Sequence, residues 1–280
     1  MSATDTALVR RLLRAQFPQW ADRPIGPLAS GGTVNAVYRL GNDLTVRLPR
    51  SAEDVEQERR TLDALTGLPV AVPAVAALGE PGEGFPRPWA VHRWLDGEPA
   101  VEGRPVEGLA EFVVALRAHP AEGPPASRGQ PLSTVDTATR EAIGELSHTD
   151  EPFDAAAALD VWAEALDAPQ WTGAPCWVHG DLMPSNLLLR DGRLSGVLDW
   201  ATAGRGDPAA DLIPAWNLLT AQTRHPFREA VGADDAAWAR GRGRALSMAV
   251  IQLPYYRHTN PVISANARYV LTELGCVPAP

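Results

Sequence analysis

The sequence predicts an α+β protein of two lobes, a small lobe of sheet plus helix over 1–94 and a larger, mainly helical lobe over 95–280. Three observations lead there. Apolar and polar residues alternate over 44–48 with the period of a half-buried strand, whereas 8–17 and 53–65 repeat at helical spacing. A chain of 280 residues with 45% hydrophobic content can bury a full core, enough for one large domain or two lobes. Trp89-Ala-Val-His-Arg-Trp-Leu reads as a strand that ends in Asp96-Gly97, which supplies a connector.

The elements follow in order. Leu8, Val9, Leu12, Leu13 and Phe17 form one helical stripe, and 18–27 reads as a loop leading to Leu28-Ala-Ser-Gly-Gly. Segments 37–40 and 44–48 read as a hairpin, with Arg47 facing away from Leu44, Val46 and Leu48. The helix expected over 53–65 carries an inward stripe of Val55, Glu58, Leu62 and Leu65, so a carboxylate falls among apolar residues. Segment 89–95 reads as a further strand. In the second lobe, helices are expected over 106–116, 153–166 and 207–219, the last with Asp207 as N-cap and Pro208 at the first helical position. Segment 120–139 is rich in Pro, Gly, Ser and Thr without a hydrophobic period and reads as a loop. Cys176-Trp-Val reads as a strand, and 187–189 with 194–198 as a hairpin turned by Asp191-Gly192. Two or three more helices are expected to complete the chain.

Composition narrows the function. A net charge of −9 argues against a nucleic-acid partner, because phosphate backbones recruit basic faces. All 25 basic residues are arginine, so no lysine contacts a ligand anywhere in this chain. Two distant cysteines, Cys176 and Cys276, indicate neither a disulfide framework nor a zinc site. The amphipathic start is unlike a signal peptide, and no run approaches the roughly 20 apolar residues of a membrane span. A cytoplasmic protein without a membrane partner is the expectation.

The segment 177–200, W-V-H-G-D-L-M-P-S-N-L-L-L-R-D-G-R-L-S-G-V-L-D-W, gathers His179, Asp181, Asn186 and Asp199 into one strand-loop-hairpin unit. Phosphoryl transfer from a nucleotide needs a carboxylate to orient the attacking hydroxyl and oxygen ligands to hold Mg²⁺ on the phosphates. Asp181, Asn186 and Asp199 are of that kind. Taken singly, each is also an ordinary turn or strand-end residue.

His179-Gly180-Asp181, Asn186, Gly196-Val-Leu-Asp199-Trp200, Gly206-Asp207-Pro208 and Asp211 together resemble the aminoglycoside phosphotransferase family in order and spacing. The match extends over roughly 25–220. The resemblance implies a protein-kinase-like bilobal fold and a small-molecule kinase. It makes Asp181 the catalytic base, Asn186 and Asp199 the Mg²⁺ ligands, and His179 a structural residue that orients the loop. It assigns Gly31, Gly32 and Thr33 to the nucleotide phosphates, although S-G-G-T by itself is a common turn. Arg47 stands where protein kinases carry a lysine, and its fork can meet both phosphate and Glu58. Asp207 and Asp211 are expected to brace the catalytic loop. Trp200 is expected to pack beneath the metal ligand, and Trp216 with Tyr255 and Tyr256 to line an acceptor pocket. His92, His119, His148, His225 and His258 read as surface or connector residues.

The expected partners are ATP or GTP as donor and a small-molecule hydroxyl as acceptor. An aminoglycoside-like antibiotic, and hence antibiotic resistance, heads the acceptors because an acidic chain attracts polycations. A choline- or homoserine-like metabolite is the alternative within the class. A non-catalytic nucleotide-binding regulator is the alternative outside it, and a metal-dependent hydrolase using His179 and Asp181 lacks a second histidine at ligand spacing.

Overall fold

The computed structural model describes residues 5–28, 35–51, 54–120 and 122–277, and the chain divides into two compact units. The first unit comprises 1–66 and 71–96. Helix α1 (Thr6–Gln16) is capped by Asp5, which accepts from Leu8 N at 2.7 Å, and it buries Leu8, Val9, Leu12 and Leu13 as its stripe predicts. The stretch 18–27 is not all loop. It holds a 3₁₀ turn, Pro18–Trp20, and a short strand, β1 (Ile25–Pro27), whose Gly and Pro hid an edge position that needs few ladder bonds. Strands β2 (Asn35–Leu40) and β3 (Leu44–Pro49) form the expected hairpin, and α2 (Val55–Ala64) follows. Strand β4 (Val75–Gly79) has no alternating pattern and was not anticipated; β5 (Trp89–Arg93) was. The sheet runs β1-β2-β3-β5-β4, antiparallel throughout.

One sheet face packs Leu40, Leu44, Val46, Leu48, Trp89 and Val91 with the α1 stripe. Thr45 opposite His92 and Arg47 opposite Ala90 therefore belong to the other face. His92 corrects its expected assignment: it is buried within β5, not a surface residue. Burial, with Arg47 nearby, pushes its imidazole down to about 3, and Nε2 has no partner among the described residues.

The second unit comprises 67–70 and 97–280. Strand β6 (Glu98–Pro99) precedes α3 (Leu109–Arg117), which starts three residues later than expected because Gly108 is left-handed at φ 81°. The expected 120–139 loop ends early. A 3₁₀ turn, Leu132–Val135, runs into α4 (Asp136–Ser147), where Trp162 Nε1 donates to Asp136 at 2.7 Å and the Thr139 and Ser247 hydroxyls bond at 2.7 Å. Tertiary partners fix this helix despite a weak local pattern. Helix α5 (Ala155–Asp167) leads to β7 (Cys176–Val178) and to the hairpin of β8 (Leu187–Arg190) and β9 (Arg193–Val197). Asp191 and Gly192 turn that hairpin with φ of 52° and 79°, the two positive angles a type I′ turn needs.

Strand β10 (Gly204–Gly206) pairs antiparallel with β7. The single helix expected over 207–219 is instead a 3₁₀ segment, Pro208–Leu212, and a short α6 (Pro214–Asn217), since Pro214 lacks an amide donor and disfavours helix before it. Helices α7 (Ala221–Ala230), α8 (Asp235–Tyr256) and α9 (Pro261–Glu273) follow, and α8 packs on α4, α5 and α9. Burial raises the Cys176 thiol pKa and pushes that of Cys276 up to about 11. Among the described residues, no helix is long and apolar enough to cross a membrane.

Candidate active site

The second unit builds its site from a short sheet edge and a buried acid. Where β7 ends, Asp211 is buried and accepts from His179 N at 2.8 Å and Gly180 N at 2.7 Å. Two backbone amides that would lack ladder partners are thereby satisfied, and the loop is clamped before it reaches Asp181. Desolvation raises the Asp211 pKa, and the field of His179 and the two amide bonds oppose that rise. Asp207 caps the 3₁₀ segment through Ala209 N at 2.9 Å and is held by a bidentate Arg240 at 2.7 and 3.1 Å. Both acids are structural, as expected.

His179 ties the two halves of the motif together. Its Nδ1 accepts from Asp181 N at 3.2 Å, so Nε2 carries the proton and donates to Leu198 O at 3.0 Å. Trp200 meets the imidazole edge-on at 4.8 Å and Phe112 at 6.3 Å, and it is fully buried. Leu198 N in turn donates to Asn186 O at 2.8 Å, which extends the β8–β9 ladder by one step. That bond sets Asn186 beside the end of β9, one residue from Asp199. Asp199 itself is left-handed at φ 61°, a conformation Asp adopts at a cost of about 1 kcal/mol and that neighbouring structure must enforce.

Asn186 also faces the predicted base. Its Nδ2 donates to Asp181 O at 2.9 Å and approaches Asp181 Oδ2 at 3.3 Å, so the amide oxygen is the end turned elsewhere. Asp181 is thus hydrogen-bonded to Asn186, whose backbone pairs with Leu198, the residue before Asp199. A carboxylate and an amide oxygen are hard donors, the chemistry a Mg²⁺ ion with several retained waters accepts.

One site residue escaped the sequence reading. Arg128 Nη1 forms an ion pair with Asp181 Oδ1 and lies 3.4 Å from Gly180 O. It comes from the segment 122–131, which is docked onto β10: Ala126 N donates to Arg205 O at 3.0 Å, Arg205 N to Pro124 O at 2.7 Å, and Asp207 N to Gly129 O at 3.0 Å. Gly204 and Gly206 permit this approach, since a Cβ on either would lie 2.5 to 2.6 Å from a backbone oxygen of the segment. Nothing in a Pro- and Gly-rich stretch signals such docking. A cavity of about 580 Å³ opens beside the same segment, with Gln130, Trp171, Arg205, Asp207 and Arg240 in its wall and none of Asp181, Asn186 and Asp199.

In the first unit, Arg47 Nη1 meets Glu58 Oε1 at 2.7 Å, and both side chains are largely buried. The expected pairing across β3 and α2 is therefore formed. Gly31, Gly32 and Thr33 lie outside the described residues. Trp216 does not line an acceptor pocket: it is buried, packs on Trp238 at 4.7 Å and has the Arg224 guanidinium over its ring. Tyr255 is exposed and meets Tyr256 edge-on at 4.6 Å.

An antiparallel-sheet unit followed by a mainly helical one is the protein-kinase-like arrangement, and the chain is a phosphotransferase with an alcohol group as acceptor. It belongs to the phosphotransferase enzyme family, whose model matches residues 26–246. It is similar to an aminoglycoside 3′-phosphotransferase of Escherichia coli, 27% identical over 201 residues, or 66% of this chain and 73% of that protein. A shorter stretch of 48 residues is 42% identical to an uncharacterized Bacillus subtilis protein and spans 16% of its length. Among solved structures, the GDP complex of an aminoglycoside 2′-phosphotransferase-IIIa superimposes with a TM-score of 0.72 at 18% identity, covering 97% of this chain and 99% of that one. A macrolide 2′-phosphotransferase type I superimposes with a TM-score of 0.63 at 18% identity over the whole of both chains.

Proposed function

We propose that this protein transfers the γ-phosphoryl group of ATP or GTP to a hydroxyl of a small molecule, with Asp181 as base. The observation that carries the reading is the hydrogen-bonded join of Asp181 and Asn186 beside Asp199. The acceptor hydroxyl gives its proton to the Asp181 carboxylate while its oxygen bonds to the γ-phosphorus. The bond from that phosphorus to the β–γ bridging oxygen breaks, and the nucleoside diphosphate leaves with the electron pair. His179 and Asp211 hold the loop that aims Asp181, which fixes the acceptor oxygen without reorganisation during transfer. Asn186 and Asp199 would hold Mg²⁺, which when bound neutralises charge on the nucleotide phosphates. Arg47, steadied by Glu58, is assigned to the α- and β-phosphates in place of a lysine, with Gly31, Gly32 and Thr33 assigned to the same donor.

The relatives named for aminoglycosides and macrolides, and a net charge of −9, favour an antibiotic acceptor, aminoglycoside-like first. One observation favours a metabolite hydroxyl instead: the cation Arg128 sits on the base itself. The test is transfer of labelled phosphate from Mg-ATP and Mg-GTP to a panel of antibiotics, hydroxy acids and amino alcohols. Turnover of at least one acceptor is expected, with Asp181→Ala losing roughly 10²- to 10⁴-fold in rate while melting at an unchanged temperature. No turnover across the panel, together with no Mg-nucleotide binding by calorimetry, would end this reading.

A further inference from the structure

We propose that Arg128 forms an oxyanion subsite beside Asp181, and that the acceptor carries a carboxylate or phosphate close to the hydroxyl it presents. This deepens the preceding reading and rests on Asp181 being the base.

Arg128 spends only one of its nitrogens on the protein. Nη1 serves both Asp181 Oδ1 and Gly180 O, while Nε and Nη2 meet no acceptor among the described residues. Its side chain is 33% exposed, against 17% for Asp181, so the guanidinium beside the base is open to solvent. A guanidinium presents paired donors in one plane, and a carboxylate or phosphate is the group that fits two of them at once.

Arg128 is also not needed to hold its own segment in place. Backbone bonds from Ala126, Arg205 and Asp207 do that, and Gly204 and Gly206 pack directly on the segment. The side chain is thus a cation carried on a fixed support. Sites built in this way hold their geometry, whereas an arginine that merely pins a loop has its donors used by the loop.

The acids around Arg128 are already engaged. Arg244 packs on the same segment, donating Nη2 to Gln130 O at 2.5 Å. Burial lowers its guanidinium to about 10 against the opposing pull of Asp207, and Arg128 adds to the lowering. Asp207 is already taken by Arg240, and Asp211 is turned onto backbone amides. Asp181 is left as the one acid in contact with Arg128 among the described residues. An acceptor anion that draws Arg128 toward itself both anchors the substrate and uncovers Asp181 Oδ1 for the incoming hydroxyl. An ammonium at the same place meets a guanidinium of like charge.

Matched acceptors decide the matter: L-homoserine against its amide, and glucuronate against glucose, with kanamycin as the polycationic comparison. With the wild-type protein and Mg-nucleotide, each acid is expected to exceed its neutral partner roughly ten- to hundredfold in kcat/KM, the range of a charge-assisted hydrogen bond. Arg128→Ala is expected to erase that ratio mainly through KM, and Arg128→Lys to restore part of it. Equal use of acid and neutral acceptors by the wild type, preference for kanamycin, or an unchanged ratio in Arg128→Ala would overturn the proposal. Calorimetric titration of the same acids and neutral partners into both proteins reads the subsite without turnover. If no acceptor is phosphorylated yet the acids bind wild type tenfold more tightly than Arg128→Ala, the base assignment fails and the subsite stands. If binding shows no such difference, the subsite fails.

Discussion

At the scale of single residues, the acids and amides of the 177–200 motif were legible because their order and spacing are unusual, while their supports were only partly so. Asp211 was expected to brace the loop, yet the bonds to His179 N and Gly180 N depend on a chain reversal that no local pattern encodes. Arg128 had no signal at all, being one arginine in an irregular stretch that finds Asp181 across 53 residues of sequence. His92 went astray for a related reason: a lone histidine in a strand looks the same whether its face is open or covered. Its burial yields a pH prediction. The unfolded chain takes up a proton near pH 6.5, whereas the folded protein resists protonation of His92 down to about 3. The stabilising contribution is therefore complete above pH 6.5 and is lost as pH falls through that window, by at most ~1.4 kcal/mol per pH unit. His92→Leu, which also removes an unpartnered ring nitrogen, should show a shallower fall in melting temperature between pH 6.5 and 4.5 than the wild type. Parallel slopes would show that His92 does not titrate in this way.

At the scale of elements, strong periodicity told most and proline told least. The α1 stripe and the β2–β3 hairpin appear as read, and so does the placement of Glu58 among apolar neighbours, which called for a cation that Arg47 supplies. The segments around β1, β4 and α4 were missed because short or weakly patterned stretches take their structure from partners. The contact of segment 122–131 with β10 is the element most open to test. A methyl group at Gly206 would lie 2.6 Å from Gly129 O and 2.7 Å from its Cα, so Gly206→Ala should push the segment outward. The expected cost is about 1–3 kcal/mol in urea unfolding, accompanied by loss of the Arg128-dependent acceptor preference. Retained preference at lowered stability would separate the docking from the placement of Arg128.

At the scale of the whole molecule, the order of elements, sheet first and helices after, predicted a two-lobed α+β chain, and only the resemblance carried by the 177–211 motifs implied that it is protein-kinase-like, a fold the superposition on solved phosphotransferases bears out. Nucleotide binding to such a chain should register as global stabilisation. Mg-ATP or Mg-GTP at a hundred times its dissociation constant should stabilise the protein by about 2.7 kcal/mol, seen as a rise in melting temperature. Asp199→Asn should abolish the Mg²⁺-dependent part of that rise; an unaltered rise would remove Asp199 from the metal site. The quiet thiols give the molecule a further use. With Cys276 held near 11, the Cys176 thiol raised by burial, and no lysine in the chain, amine- and thiol-directed reagents find few competing targets. Ser127→Cys, exposed and next to Arg128, would be the fast-alkylating group, and the slowing of its maleimide reaction by a bound molecule would report occupancy beside Asp181 as a simple chemical footprint.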